Sequence, residues 1–218
     1  MIVQLNNVSK IIKKSLVIDS VSMTLTSGTV TGLQGVNGSG KTMLMRLISG
    51  LIKPSSGLIN IQGKILGRDI DFPQSLGALI EAPAFLENYS AYDNLKLIAN
   101  INNIVSDSEI KDTLKKVGLE PDSKKKYKKF SLGMKQRLGI ACAIMEFPDI
   151  LLLDEPTNAL DSSGVEMIKN IVAEFRKRDA IVVITCHDAN ILTALVDEIF
   201  VLDAGKIIDK SKVDRTIG

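Results

Sequence analysis

The sequence predicts an α/β fold with a parallel sheet covered by helices, an antiparallel sheet near the N-terminus and a helical insertion. Three patterns predict it. Near the N-terminus, apolar residues recur at every second or third position, as in half-exposed antiparallel strands. Residues 150–153 and 180–185 are continuous apolar runs, which are typical of strands buried on both faces of a parallel sheet. Between these regions, apolar residues follow helical spacing.

The first half of the chain contains the clearest change from strand to helix. Residues 3–8 and 21–25 are predicted as antiparallel strands. Residues 29–33 form a further strand that enters a glycine-rich segment, and residues 43–49 form a helix that Gly50 ends. The order is therefore strand, loop, helix.

Two helices in the middle of the chain have sequence signals at their first turns. Ser90 with Asp93, and Ser106 with Glu109, have the spacing of capping boxes. Gly118 is placed to end the second of these helices. We therefore expect one domain over residues 1–218, with a helical subdomain at residues 82–147 inserted within it.

Composition limits the kinds of partner and compartment. The chain has 218 residues, of which 45% are hydrophobic, enough for a sizeable core. Its 27 basic and 25 acidic residues give a net charge of +2, so no nucleic-acid partner is predicted. Cys142 and Cys186 lack metal-ligand spacing, which suits a reducing compartment such as the cytoplasm. No apolar run is long enough to span a bilayer.

The strongest chemical signal is a phosphate loop of the form G-x-x-x-x-G-K-T between the predicted strand and helix. Glycines let backbone N–H groups approach phosphate oxygens closely, and the helix N-terminus adds a positive dipole end. The lysine is expected to reach the β- and γ-phosphates of a nucleotide, and the threonine hydroxyl to bind Mg²⁺. The loop consists of Gly35, Val36, Asn37, Gly38, Ser39, Gly40, Lys41 and Thr42.

Two adjacent carboxylates follow the apolar run at residues 150–153. Asp154 is predicted to hold Mg²⁺, directly or through water, and Glu155 to orient and polarise an attacking water. Acidic pairs also end strands as solvated caps, which is the alternative for this pair taken alone. Together with the phosphate loop, the pair predicts a nucleotide hydrolase.

The order of these motifs resembles that of the nucleotide-binding domains of ABC transporters over nearly the whole chain. The segment Phe130-Ser131-Leu132-Gly133-Met134-Lys135-Gln136-Arg137-Leu138 is similar to the family signature, and it precedes Asp154-Glu155-Pro156-Thr157-Asn158-Ala159-Leu160-Asp161. The resemblance implies a RecA-like P-loop NTPase core that hydrolyses ATP with Mg²⁺.

The resemblance also implies roles for residues beyond the phosphate loop. His187 is expected to contact the γ-phosphate, and residues 158–161, including Asp161, to form the D-loop. Ser131 and Gly133 are expected to bind the γ-phosphate held by a second nucleotide-binding domain, so dimerisation is part of the implied mechanism. A homodimer and a heterodimer both fit the motifs.

Three departures from the usual family pattern are visible in the sequence. Two of them indicate a subfamily, and the third concerns how the adenine base is bound. Leu132 and Met134 replace a glycine and a glutamine of the signature, and Glu81 replaces a glutamine that contacts Mg²⁺. These variants resemble the bacitracin and lantibiotic export or immunity transporters. Ile12 lies where the family has an aromatic ring on adenine, so only apolar contact with the base is expected there.

The partners implied by the resemblance are a membrane-spanning subunit and a second ATPase domain, with the chain on the inner face of the membrane. Phe85, Tyr89 and Tyr92 in the insertion are the expected surface for the membrane subunit. The basic run at residues 124–129 is interpreted as solvated, with lipid or nucleic-acid contact as its alternative. A soluble ABC ATPase acting on ribosomes or DNA, and a small-molecule phosphotransferase, are the rival functions.

Overall fold

The computed structural model of the chain describes residues 1–213, which form two β-sheets and six α-helices. The strands are β1 (Ile2–Ile12), β2 (Ser15–Thr26), β3 (Val30–Gln34), β4 (Ser56–Ile61), β5 (Lys64–Ile65), β6 (Leu76–Leu79), β7 (Ile150–Leu153), β8 (Ile181–Thr185), β9 (Glu198–Asp203) and β10 (Lys206–Lys212). The helices are α1 (Lys41–Ile48), α2 (Ala91–Asn102), α3 (Asp107–Lys116), α4 (Leu132–Ile144), α5 (Ser162–Lys177) and α6 (Ala189–Leu195).

The smaller sheet is antiparallel and has the strand order β2-β1-β4-β5. Its first strand alternates as the sequence predicts, because Val3 and Leu5 are buried while Gln4 between them is exposed. Val3 lies opposite Leu25 in β2, which brings the apolar faces of both strands into one core. The predicted antiparallel sheet near the N-terminus is confirmed.

The larger sheet has the order β10-β9-β3-β8-β7-β6, and only β10 pairs antiparallel to its neighbour. Alternate residues of β7 enter different cores: Leu151 and Leu153 pack on one face, and Ile150 and Leu152 on the other. All five residues of β8 are likewise buried. Burial on both faces explains why these strands are continuous apolar runs.

Three helices, α2, α3 and α4, lie in the chain between the edge strand β6 and β7. The predicted capping boxes are confirmed, since Ser90 accepts from the Asp93 N–H and Ser106 from the Glu109 N–H, and each acid bonds back to its serine. The 3₁₀ turn before α4, Tyr127–Lys129, buries Tyr127, whose hydroxyl donates to the Pro83 carbonyl at 2.7 Å. The basic run therefore surrounds a buried ring.

Three elements beside the site have boundaries that differ from the prediction. Strand β3 covers Val30–Gln34, one residue later than predicted. Helix α1 begins at Lys41, two residues earlier than predicted, because Gly40 with φ of 110° ends the loop and lets Lys41 and Thr42 enter the first helical turn. Strand β8 begins at Ile181, one residue later than predicted. Across residues 1–213, none of the helices combines the length and apolar character that crossing a bilayer requires.

Candidate active site

Three neighbouring parallel strands bring the predicted functional residues to one edge of the sheet. The phosphate loop follows β3, Asp154 and Glu155 follow β7, and His187 follows β8. Because β3, β8 and β7 are adjacent and parallel, their carboxyl ends meet. Ligands of open α/β sheets bind at this edge. The residues are far apart in sequence and come together through the strand order.

The phosphate loop is closely packed against the sheet at its first residue. A Cβ atom added at Gly35 would lie 2.2 Å from the Leu202 carbonyl oxygen and 2.5 Å from Ser39 Oγ, so only glycine fits there. Ser39 is 2% exposed, and its Oγ has no hydrogen-bond partner within the described part of the chain. Burying a hydroxyl without a partner destabilises the folded chain unless a ligand supplies the hydrogen bond. A loop that binds phosphate oxygens could supply it, because the hydroxyl can donate to them.

Lys41 is held across the mouth of the loop. Its side chain is largely buried, and Nζ donates to the Gly35 carbonyl at 2.7 Å and to the Val36 carbonyl at 3.1 Å. An ammonium group has three N–H donors, so these two bonds leave one for a further acceptor. The loop backbone therefore fixes a positive charge above α1, at the end where the helix dipole is also positive.

A series of hydrogen bonds joins the loop helix to two strands. Thr42 Oγ1 donates to Asp154 Oδ2 at 2.6 Å, and Thr185 Oγ1 donates to Asp154 Oδ1 at 2.8 Å. Asp154 is only 8% exposed, and Thr185 is fully buried. Hydroxyl and carboxylate oxygens are the ligands that Mg²⁺ prefers. Thr42 and Asp154 therefore have the oxygen atoms that would suit a magnesium ion, and their binding of the ion stays a prediction.

Glu155 has an unusual backbone and a buried carboxylate. Its φ is 50°, in the left-handed region that non-glycine residues rarely adopt. Its carboxylate oxygens are buried and complete no hydrogen bond of normal geometry with the described residues, although the His187 Nδ1 atom lies 3.5 Å from Oε1. Burial raises the pKa of this carboxyl, while the nearby His187 acts in the opposite direction. A buried carboxylate of raised basicity fits a general base.

An open cavity of about 420 Å³ lies beside these groups. Such a volume is within the usual range for ligand pockets. Its wall includes Asn37, Gly38, Gly40, Lys41, Thr42, Asp154, Glu155 and His187, which the sequence predicts, and also Leu16, Val17, Met43, Ala204 and Gly205, which it does not. Leu16 and Val17 come from β2 of the other sheet. Ile12 is not among the lining residues, so its contact with a base stays a prediction.

Glu81 forms an ion pair with Arg46 of α1 and does not reach the cavity. Its Oε1 is 2.5 Å from Arg46 Nη2, and the side chains are 57% and 32% exposed. Glu81 does not line the cavity, and its φ of 64° is again left-handed. Within residues 1–213, no group of three or more His, Cys, Asp or Glu side chains forms a metal cluster. The role of Glu81 at a metal stays a prediction.

The signature residues lie away from this cavity. Ser131 caps α4, its Oγ accepting from the Met134 N–H at 3.2 Å, and Gly133 lies within the first turn of that helix. Neither residue lines the cavity. Asp161 caps α5 by accepting from the Gly164 N–H at 2.9 Å, and a bond from Ser163 lowers the pKa of its carboxyl. Their predicted contacts with a second nucleotide remain predictions.

Comparisons with known proteins agree with the family resemblance seen in the sequence. The sequence profile described as ABC transporter matches residues 18–158. A Bacillus subtilis strain 168 protein named uncharacterized ABC transporter ATP-binding protein YybJ is 47% identical, with 97% of each chain covered. The lantibiotic transport ATP-binding protein SrtF of Streptococcus pyogenes is 37% identical, covering 97% of this chain and 91% of the relative.

Two further matches extend the comparison. The bacitracin transport ATP-binding protein BcrA of Bacillus licheniformis is 35% identical, covering 98% of this chain and 71% of the relative. A dimeric structure of the ATP-binding cassette MJ0796 has the same fold, with a TM-score of 0.87 and 24% identity over 97% of this chain and 99% of that one. These matches give no support to the ribosome or DNA alternative. The chain therefore belongs to the ABC transporter family, as one of its ATP-binding ATPase chains.

Proposed function

We propose that this chain hydrolyses Mg²⁺-bound ATP at the carboxyl edge of its parallel sheet and thereby drives transport through a separate membrane-spanning subunit. One observation carries the proposal: the hydrogen-bonded series Thr42, Asp154 and Thr185 ends beside the buried Glu155 carboxylate, at an open cavity. A phosphate loop, two oxygen ligands for a metal and a base thus share one wall.

The phosphate loop binds the nucleotide. Its backbone N–H groups and the free donor of Lys41 face the β- and γ-phosphates, while Ser39 lies buried within the loop. Thr42 and Asp154 hold Mg²⁺, with Glu81 as a further ligand once it leaves Arg46. When bound, Mg²⁺ offsets the negative charge that develops during phosphoryl transfer.

Glu155 acts as the general base and His187 as the γ-phosphate contact. Burial makes the Glu155 carboxyl more basic than an exposed one, and the two rigid β-strands that precede these residues fix their separation. The carboxylate orients the attacking water and accepts its proton. The His187 ring is 55% exposed, so a phosphate group can reach it.

The transport that this ATPase drives is the export of an antimicrobial peptide or a similar compound from the cell. The similarity to SrtF and BcrA, named as lantibiotic and bacitracin transport proteins, supports this substrate class. Glu81, Leu132 and Met134 are the positions whose variants resemble that group. The chain works on the cytoplasmic face of the membrane, where the residues around the exposed Tyr89 receive the membrane subunit.

A second nucleotide-binding domain completes the active unit, in a homodimer or a heterodimer. Ser131, exposed at the N-terminus of α4, and Gly133 bind the γ-phosphate of the opposite domain, and Asp161 belongs to the D-loop at that interface. Residues 1–218 act as one nucleotide-binding domain, with residues 82–147 as its helical subdomain.

The test is the variant Glu155→Gln. The amide keeps the shape of the side chain but cannot accept the proton, so hydrolysis should fall at least about a hundredfold while ATP affinity is kept. Glu166→Gln, an exposed position on α5, is the matched control. Turnover by phosphate release, affinity by calorimetric titration and co-purification with a polytopic membrane protein are measured together. Wild-type turnover in Glu155→Gln would refute its catalytic role.

A further inference from the structure

The loop that follows β7 is strained at two positions that are not glycine. Glu155 has φ of 50° and Ala159 has φ of 61°, and both belong to the segment of residues 155–161 that leads into α5. A left-handed conformation is unfavourable for residues with a Cβ atom, and it persists only where the surrounding structure holds it. The contacts around this segment therefore decide where the Glu155 carboxylate points.

The backbone of Glu155 is held on both sides by side chains from different elements. Its N–H donates to Thr185 Oγ1 of β8 at 2.7 Å. Its carbonyl accepts from Gln136 Nε2 of α4 at 3.1 Å, and also from the Asn158 N–H at 3.1 Å. The Asn158 bond lies within the strained turn and moves with it. Thr185 and Gln136 are the side chains outside the turn that bond to the Glu155 backbone itself, while Thr157 Oγ1 lies 3.3 Å from Cys186 Sγ.

Helix α4 contacts the same segment at two further points. A Cβ atom added at Gly133 would lie 2.9 Å from the Ala159 carbonyl oxygen, so the helix and the second strained residue approach closely. Arg137, whose Nη1 is held by the Val117 carbonyl at 2.7 Å, places Nη2 3.4 Å from Asp161 Oδ1. The segment therefore lies along the first two turns of α4.

We propose that Gln136 is a positioning residue for Glu155, and that it couples the exposed start of α4 to the catalytic carboxylate of the same chain. The proposal rests on the catalytic role of Glu155 stated above. Ser131 and Gln136 lie within two turns of one helix, so a ligand that shifts the helix N-terminus moves the Gln136 amide and the Glu155 carbonyl with it. A nucleotide bound by a second domain at Ser131 then affects hydrolysis at this chain's own site.

The test compares Gln136→Met with Gln74→Met. Methionine matches glutamine in length and lacks the N–H donor, and Gln74 is an exposed glutamine in the segment before β6, so it controls for the chemical change itself. For Gln136→Met we expect kcat to fall about tenfold, the effect of one lost hydrogen bond, while the ATP Kd stays within about twofold. Gln136→Glu keeps the shape and also loses the donor, so it should reduce kcat at least as much.

A second measurement separates positioning from general loosening of the helix. Amide hydrogen exchange should become about tenfold faster at Glu155, Thr157 and Asn158 in Gln136→Met, with exchange in the later turns of α4 unchanged. Equal loss of kcat, ATP affinity and thermal stability would overturn the proposal, because it would indicate a structural role in α4. So would a kcat equal to that of Gln74→Met.

The variant Glu155→Gln distinguishes the failure of this proposal from failure of the proposed function. In that background Gln136→Met should cause no additional loss of turnover, because the group that it positions is already missing. Inactive Glu155→Gln together with a fully active Gln136→Met would overturn the positioning role alone. Wild-type turnover in Glu155→Gln would overturn both proposals.

Discussion

The two ends of the proposed ATP-binding machinery differ in how completely one chain builds them. At the phosphate loop, Lys41, Thr42 and Asp154 are mostly buried and already joined by hydrogen bonds of 2.6–3.1 Å to the chain itself. At the signature, Ser131 is exposed and Leu132 next to it is 71% exposed. Buried, bonded groups are preorganised, whereas exposed groups of this kind need a partner surface. The phosphate end is therefore preformed within one chain, whereas the role proposed for the signature end requires a second domain.

Lys41→Ala gives the largest effect expected at the preorganised end. The change removes a charge-assisted donor in a partly desolvated site, so ATP affinity should fall about a hundredfold while the chain remains folded. Lys64→Ala, at a lysine of β5, is the matched control. Calorimetric titration with ATP and thermal unfolding are the measurements. Unchanged affinity would mean that the phosphates do not lie at Lys41.

Thr185→Val tests whether the buried network at the phosphate end holds both carboxylates. Valine has the same shape but leaves the Glu155 N–H and one Asp154 oxygen without their partner. We expect the free energy of unfolding to fall by about 2 kcal/mol, together with turnover. Thr24→Val, at an exposed threonine of β2, should change neither in urea denaturation and phosphate-release assays. Equal stability in both variants would contradict the network.

Ser131→Asp addresses the signature end. Aspartate still caps a helix, so α4 should persist, but its charge repels the phosphate of a second domain. Ser131 does not line the cavity, so ATP binding by the single chain should stay unchanged while turnover falls about tenfold in the paired state. Ser108→Asp adds the same charge to the first turn of α3 as a control. A weaker single-chain affinity would remove the difference between the two ends.

Much of the phosphate end was predictable from sequence because its signals are local. A glycine-rich loop between a strand and a helix, and carboxylates directly after an apolar run, need no knowledge of the rest of the chain. Thr185 was not predictable, since it is one residue of an apolar strand and bonds to Asp154 across 31 positions. The same holds for Gln136, whose contact with Glu155 depends on how α4 packs.

The apolar residues that line the cavity were also hard to predict from the sequence. The family resemblance predicts a contact between Ile12 and the base, which stays a prediction. Leu16 and Val17 line the cavity and were not singled out, because the packing of the two sheets decides which part of the first hairpin faces it. Helix α6 and strands β9 and β10 were not assigned from sequence either, although β9 pairs with β3 beside the phosphate loop. The pairing of β9 with β3 is long-range and leaves no local pattern, whereas β9 and β10 pair locally across Ala204 and Gly205.

Two tyrosine variants test which residue contacts the adenine base, with a smaller expected change in nucleotide affinity. Leu16→Tyr should tighten ADP binding by about 1 kcal/mol through stacking on adenine, and Ile12→Tyr should do less, since only Leu16 lines the cavity. Inorganic triphosphate, which has no base, should bind both variants as it binds the wild type. A larger gain for Ile12→Tyr in calorimetric titration would place the base at Ile12 instead, as the family resemblance implies.

The smallest expected effect concerns Glu81, which is paired with Arg46 of α1. Arg46, its ion-pair partner, follows Thr42 by one helical turn on α1, so Glu81 already lies against the helix face that carries Thr42. If Glu81 leaves Arg46 to bind Mg²⁺, Glu81→Gln should raise the Mg²⁺ concentration needed for half-maximal turnover by roughly threefold, the range for exposed charges.

The variant Arg46→Gln should change the Mg²⁺ requirement in the opposite direction. Removing the competing cation frees the Glu81 carboxylate, so the Mg²⁺ requirement should fall, while the double variant should behave like Glu81→Gln because no carboxylate is left to release. Glu87→Gln, in the loop before α2, controls for the loss of a charge. The measurement is a Mg²⁺ titration of ATPase activity, with metal-free nucleotide affinity determined in parallel. Superimposable titrations for the three variants and the wild type would show that Glu81 serves only its ion pair with Arg46, and the subfamily resemblance would then depend on Leu132 and Met134.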